Sequence, residues 1–330
     1  MPLCIHCTQP VPYLYTIYQS ARNVRLEQCP SCHAFADPYV EHDRLIVLLD
    51  LILLKRGVYR HLLFNRGSPP RRVGAKKSEE ESKRDEGLPE GRKDDAGRET
   101  DKARWVLTLR VGAAIVLVDG FIRWSELRSR VAAQGGHAWS QDAPEAFARV
   151  LLGCLVETFA FHVGITFSSV FVLTVLGWLS TRKNMSFKST PSNIRQSLKY
   201  SHIPLCLFYS SFTKFFLLLL LSIWDPPRTS TLRTSSHAYT HTIAFQHPIL
   251  RSAWQALDDD KLDRQWVVRN VLGGMAAGFG LRVVLDCHPF FTTLVILAGW
   301  AVKTAVATVV SGWVGEDAII GEAWLAYSIP

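Results

Sequence analysis

Long apolar runs in the last two thirds of the chain restrict its fold more than any other feature. They are 105–122, 151–179, 203–224, 266–285 and 290–314, with short polar stretches between them. A soluble core does not need runs of that length, whereas about 20 apolar residues are needed to cross roughly 30 Å of hydrocarbon. The second run is longer than one crossing, so 155–179 is read as the span and the residues before it as an interfacial lead-in. Trp105, Trp178, Trp224, Trp266 and Trp313 fall near the proposed ends, where amphipathic indole rings settle. The expectation is an all-α membrane domain over 105–330 with five spans, four or six remaining open.

The overall hydrophobic content of 48% would pass for a soluble protein, because polar residues are concentrated elsewhere. Between Arg71 and Arg104, 21 of 34 residues are charged, 11 basic and 10 acidic. Residues 67–104 are therefore read as a disordered charged linker with nothing to bury. The net charge of +8 does not form a nucleic-acid face. Its clearest excess lies in Thr181–His202, with five Lys or Arg and no acid, which fits the cytosolic side of a membrane. That assignment places the N-terminus in the cytosol and 123–150 and 225–265 in the lumen. Asn184-Met185-Ser186, a glycosylation sequon, then lies on the cytosolic side and carries no glycan. Glu316, Asp317 and Glu322, without a nearby base, suit a lumenal end.

The N-terminal residues carry the strongest chemical signal, Cys4-x2-Cys7-x21-Cys29-x2-Cys32. Two such knuckles can place four thiolates in a tetrahedron around one zinc ion, with no open coordination position for catalysis. A redox dithiol would need only one pair in a strand–helix setting. A cytosolic location keeps the thiols reduced. His6 and His33 flank the pairs and are read as bystanders. Residues 41–66 carry Leu45, Leu48, Leu49, Ile52 and Leu53 at helical spacing, interrupted by Asp50, Lys55, Arg56, Arg60 and His61. This predicts an amphipathic helix lying on the zinc module or on the membrane surface. The first domain is thus 1–66, a Cys4 zinc ribbon with an amphipathic helix.

Over this first fifth the chain resembles the Arv family. The resemblance rests on the four cysteines, Leu14-Tyr15, Tyr18, Asn23, Leu26, Asp37-x-Tyr39-x-Glu41, Asp50 and the run Tyr59-Arg60-His61-Leu62-Leu63-Phe64-Asn65. It implies a multi-pass protein of the endoplasmic reticulum, with the Golgi also open. It further implies a mediator of sterol trafficking and sphingolipid homeostasis that supports glycosylphosphatidylinositol (GPI)-anchor synthesis, with membrane lipids and lipid- or GPI-synthesis enzymes as partners. No enzymatic activity, catalytic residue or nucleic-acid partner is expected, and structural zinc is the one cofactor. The alternatives are a membrane-embedded lipid transferase using Glu157 or His162, and a zinc-ribbon scaffold for lipid-synthesis enzymes.

Eight ionisable residues fall inside the expected spans: Arg110, Asp119, Glu157, His162, Lys214, Arg269, Arg282 and Lys303. Asp119 and Arg123, four apart, are expected to pair. Lys214 is expected to face other helices or a polar cavity near Glu157. Arg110, Arg269 and Arg282 are expected to snorkel to the headgroups. Gly274-x3-Gly278 offers a close helix contact. Asp286-Cys287-His288 lacks the second His and the cysteine-rich repeats of membrane palmitoyltransferases.

Overall fold

The computed structural model describes residues 1–18, 23–72, 90–133, 143–182, 193–224 and 266–314, together with 321, 324, 325, 327 and 328. The chain begins with a small sheet. Strands β1 (Tyr15–Ile17) and β2 (Val24–Leu26) form an antiparallel hairpin with Tyr15 opposite Leu26. A short β3 (Arg71–Arg72) lies parallel to β1, giving the order β2-β1-β3.

The single amphipathic helix expected over 41–66 is two helices. The first, α1 (Arg44–Ile52), stops because Leu54 turns left-handed at φ 56°. There the Lys55 N–H donates to the Asp50 carbonyl at 3.0 Å and satisfies a terminal helix acceptor. The Lys55 ammonium also pairs with the Asp50 carboxylate at 2.8 Å, so a polar residue inside the apolar stripe is what fixes the break. The chain resumes as α2 (Arg56–Arg60) and winds into a π-helical turn, His61–Asn65.

Among the described residues, five longer helices follow: α3 (Glu90–Ala133), α4 (Ala143–Arg182), α6 (His202–Trp224), α7 (Gly273–Leu285) and α8 (Pro289–Val314), with a short α5 (Asn193–Ser197) before α6. A π-helical stretch, Val267–Leu272, leads into α7. Among the described residues, the stretches long and apolar enough to span a membrane are Asp101–Ser129, Ala143–Leu179, His202–Trp224, Val267–Leu285 and Pro289–Val314, matching the five expected. The chain reads as an integral membrane protein. Its outer surface agrees, since Leu109, Phe159, Phe167 and Val309 stand between 69% and 76% exposed on helices whose inner faces hold the charges.

The expected linker differs from what forms at both of its ends. Arg71–Arg72 joins the sheet, and α3 begins at Glu90, inside the stretch read as unstructured. Glu, Lys, Arg and Ala dominate there and are good helix formers, so a helix nucleated in the span continues outward through them. Residues 73–89, the basic stretch 183–192 with Asn184, and 225–265 lie outside the described residues.

Packing against the bundle gives the N-terminal segment its final form. One hydrophobic core runs from Ile5, Tyr39, Leu51, Val58, Tyr59 and Leu63 into Ile165, Ile203, Leu205, Leu281, Leu285 and Val295. Helix α1 lies along α6, where the Thr213 hydroxyl donates to the Ile52 carbonyl at 3.0 Å. Leu45, Leu49 and Leu53 point away from this contact, 48% to 68% exposed. They form the exposed apolar face of an amphipathic helix set against a spanning helix. Two glycines set helix distances. A Cβ on Gly280 would meet the Cys206 Sγ at 2.8 Å, and one on Gly274 would collide with the Trp300 ring. Gly278, the other half of the expected close-packing pair, has room for a Cβ, with its nearest neighbour at 3.9 Å.

Candidate functional site

The two cysteine pairs fold into matching turns. The Thr8 N–H donates to the Cys4 carbonyl at 3.0 Å, and the His33 N–H donates to the Cys29 carbonyl at 2.9 Å. Each turn ends in a left-handed residue directly after its second cysteine, Thr8 at φ 66° and His33 at φ 59°. Few non-glycine residues adopt that conformation, and here it turns both thiols of a pair to the same side. The four Sγ atoms lie within 4.8 Å of one another, with Cys4–Cys32 at 3.7 Å and Cys7–Cys29 at 3.5 Å. A tetrahedral site with metal–sulfur bonds of about 2.3 Å has edges of about 3.8 Å, so the donor set fits a zinc-sized ion. His33 serves the turn, and His6 and His33 are both exposed.

Burial pushes the Cys4 thiol up to about 12 against the pull of the Cys7 and His6 amides, and it raises Cys7 as well. At Cys29 burial acts in the same upward direction, but the Cys32 and Ser31 amides and neighbouring thiols outweigh it and lower the thiol to about 7. Four thiolates this close repel one another, so ionising all of them is favourable only around a cation.

Behind the cage lies a hydrogen-bond network that spacing alone does not reveal. Asp37 is fully buried. One of its oxygens accepts the Tyr39 N–H at 3.1 Å, and the other accepts from His61 Nδ1 at 2.8 Å and Asn65 Nδ2 at 2.7 Å. Asn65 also exchanges a pair of 2.8 Å bonds with the Leu3 backbone, next to Cys4. Arg60 donates to the Ile5 carbonyl at 2.6 Å. The Tyr39 hydroxyl donates to Asp50 at 2.9 Å. Residues from the Asp37 cluster, Asp50 and the Tyr59–Asn65 run therefore couple the cysteine cage to the helices beneath it.

The second assembly sits inside the bundle. Arg123 on α3 pairs with Asp119 at 3.2 Å, as its spacing predicts, and also with Glu157 on α4 at 2.8 Å. Lys214 on α6 reaches the other Asp119 oxygen at 3.4 Å. It lines the same cavity as Glu157, but its ion partner is Asp119. Arg269 departs from the snorkelling expectation: it is 9% exposed and pairs with Glu126 at 2.8 Å. Its position in the π-helical stretch just before α7 brings it to an acid on α3 before it reaches the headgroups. Arg110 and Arg282 are exposed on the bundle surface, where snorkelling is available. Residues near the far end of the chain complete the cluster. The Trp324 Nε1–H donates to Glu157 at 2.7 Å, Arg123 donates to the Ser328 hydroxyl at 2.8 Å, and the Arg269 guanidinium stacks 3.4 Å from the Tyr327 ring centre. An unpaired charge at mid-bilayer costs about 2.5–3.5 kcal/mol, which is the reason these groups turn inward and pair. Around them is a cavity of about 110 Å³ lined by Asp119, Glu157, His162, Lys214, Trp300 and Lys303, among others.

Asp286-Cys287-His288 is a helix end. Asp286 turns left-handed at φ 45° to close α7, and Arg195 donates to its carbonyl at 2.9 Å. Nothing there forms a nucleophile with its base.

Residues 3–245 match the Arv1-like family. The chain belongs to that family. Among its relatives, a protein named arv1 homolog from Dictyostelium discoideum is 28% identical over 232 residues, 68% of this chain and 75% of its own length. Protein arv1 of Schizosaccharomyces pombe is 30% identical over 54% of this chain and 55% of its own length. Protein ARV1 of Saccharomyces cerevisiae is 49% identical over 63 residues, only 19% of either chain. The last two alignments thus span about half and about one fifth of those relatives. No solved structure matches the chain.

Proposed function

We propose that this Arv1-like protein maintains lipid homeostasis at the endoplasmic reticulum membrane without catalysing a reaction, mediating sterol trafficking and sphingolipid balance and supporting GPI-anchor synthesis. Family membership across residues 3–245 carries this reading, because the match extends beyond the cysteine module through three of the spans. In this reading Cys4, Cys7, Cys29 and Cys32 hold a structural zinc ion. The cage sits on the cytosolic side, and α1 rests its leucine face in the adjacent leaflet. Both Glu157 oxygens are occupied, by Arg123 and by Trp324, which takes support from a lipid transferase with Glu157 as its acid or base.

The deciding experiment is photo-crosslinking of the purified full chain with sterol and ceramide probes. Saturable labelling that unlabelled sterol or ceramide competes away is the expected result. Labelling that neither competitor reduces would overturn direct lipid handling. The favoured reading would then be a scaffold for lipid-synthesis enzymes, built on the platform that the cage and α2 form together.

A further inference from the structure

The ion pairs around the intrabundle cavity leave one cation over. Asp119, Glu126 and Glu157 face Arg123, Lys214, Arg269 and Lys303. The first three cations each have a carboxylate partner. Lys303, in the middle of α8 and lining the cavity, forms no ion pair among the described residues. A half-buried ammonium facing a cavity inside the bundle, with no carboxylate of its own, favours an anion there.

His162 adds a complementary demand. Its Nδ1 lies 2.7 Å from the Thr158 carbonyl, which only accepts, so Nδ1 carries the ring proton. Its Nε2 is then a hydrogen-bond acceptor, buried, without a partner, on a ring that stacks on Phe208 and lines the same cavity. The ligand these two groups specify has an oxyanion for Lys303 and an O–H for His162. At about 110 Å³ the space is well under the roughly 300–1,000 Å³ that encloses a whole drug-sized molecule. It holds several water-sized groups, about the extent of one polar headgroup.

We propose that this cavity binds a protonated phosphate monoester, with Lys303 pairing with the oxyanion and His162 accepting from the phosphate O–H. The site deepens the lipid-handling reading by naming headgroup chemistry, and rests on that reading only in assigning the phosphate to a lipid. Trp324 and Ser328, bonded to Glu157 and Arg123, hold those two groups in place, while the Asn270 side-chain amide, buried on the same lining without a hydrogen-bond partner, offers a further donor beside Lys303.

The test is titration calorimetry on the full chain in maltoside micelles, with three probes: dioctanoyl phosphatidate, dioctanoylglycerol and inorganic phosphate. Phosphatidate is expected to bind saturably, and dioctanoylglycerol, with the same tails and no phosphate, at least about tenfold more weakly. Lys303→Gln is expected to weaken phosphatidate by about tenfold or more through loss of a charge-assisted contact, while Lys303→Arg restores most of the affinity. Arg110→Gln, at an exposed cation outside the cavity, is expected to bind like the unaltered chain. Inorganic phosphate that binds where phosphatidate does not would keep the oxyanion site and assign it to a soluble ligand. Equal affinity for phosphatidate and dioctanoylglycerol with no phosphate binding, or full affinity in a folded Lys303→Gln chain, would overturn the site. Phosphatidate binding that persists while sterol crosslinking fails would remove the sterol reading and leave this one standing.

Discussion

Asp50 joins three parts of the N-terminal domain with one side chain. It receives the Tyr39 hydroxyl at 2.9 Å and the Lys55 ammonium at 2.8 Å, and its backbone carbonyl closes the end of α1. Burial alone would raise its carboxyl, but the Lys55 and Tyr39 contacts outweigh burial and hold it below the usual carboxylate range. A lowered folded value means the charged form is favoured by folding. The contribution is therefore complete above the unfolded carboxylate value of about 4 and is lost as the pH falls through the folded value. Asp50→Asn should lower the melting temperature near neutrality, and its curve should converge with that of the unaltered chain in acid. A constant gap across that range would mean that the hydrogen bond to Tyr39, not the charge, supplies the stability. Spacing showed Asp50 as an interruption of an apolar stripe; the contact with Tyr39 needed the fold.

The cysteine module and the helices after it form an element that is legible only in part. Cys-x-x-Cys turns are local, so their positions follow directly from the sequence, and so does the donor set they create. The break between α1 and α2 was not legible, because Leu54 in a left-handed conformation breaks the residue preferences from which helix ends are read. The docking of Tyr59 and Leu63 into the bundle core was hidden too, since an apolar residue at helical spacing looks the same whether its partner is the module, lipid or another helix. One consequence concerns the metal. Binding free energy of small Cys4 sites is largely folding free energy, about 10–16 kcal/mol in isolated peptides. Cys29→Ser in the full chain should abolish the expected one-per-chain zinc content and make 1–40 sensitive to protease. The five spans should remain resistant to carbonate extraction. Metal analysis beside limited proteolysis checks this, and a variant that keeps a protected N-terminus without metal would show that Asp37, Asn65 and the bundle contacts suffice.

For the whole molecule, the proposed orientation, with the N-terminal module in the cytosol, rests on the charge count of the sequence. Five spans place the N-terminal module and the basic stretch Thr181–His202 on the same side, because two crossings separate them. The expected outcome is that Asn184 bears no glycan in the native protein. A mobility shift on endoglycosidase treatment that Asn184→Gln abolishes would reverse the orientation or change the number of crossings.

The sequence by itself determined the five spans, the four-cysteine donor set and the Asp119–Arg123 pair. Each depends on run length or on spacing within one element, which covalent geometry sets. Only the tertiary structure decided that Lys214 meets Asp119, that Arg123 meets Glu157, that Arg269 turns inward, and that Trp324 reaches Glu157 from a distant part of the chain. Those partners lie 34 to 167 residues apart. Helix packing chooses among many inward-facing charges by distance and rotation, and neither is written in the local pattern. The surplus of Lys303 is likewise a property of the assembled cluster, since an unmatched charge exists only once every other charge has found its partner.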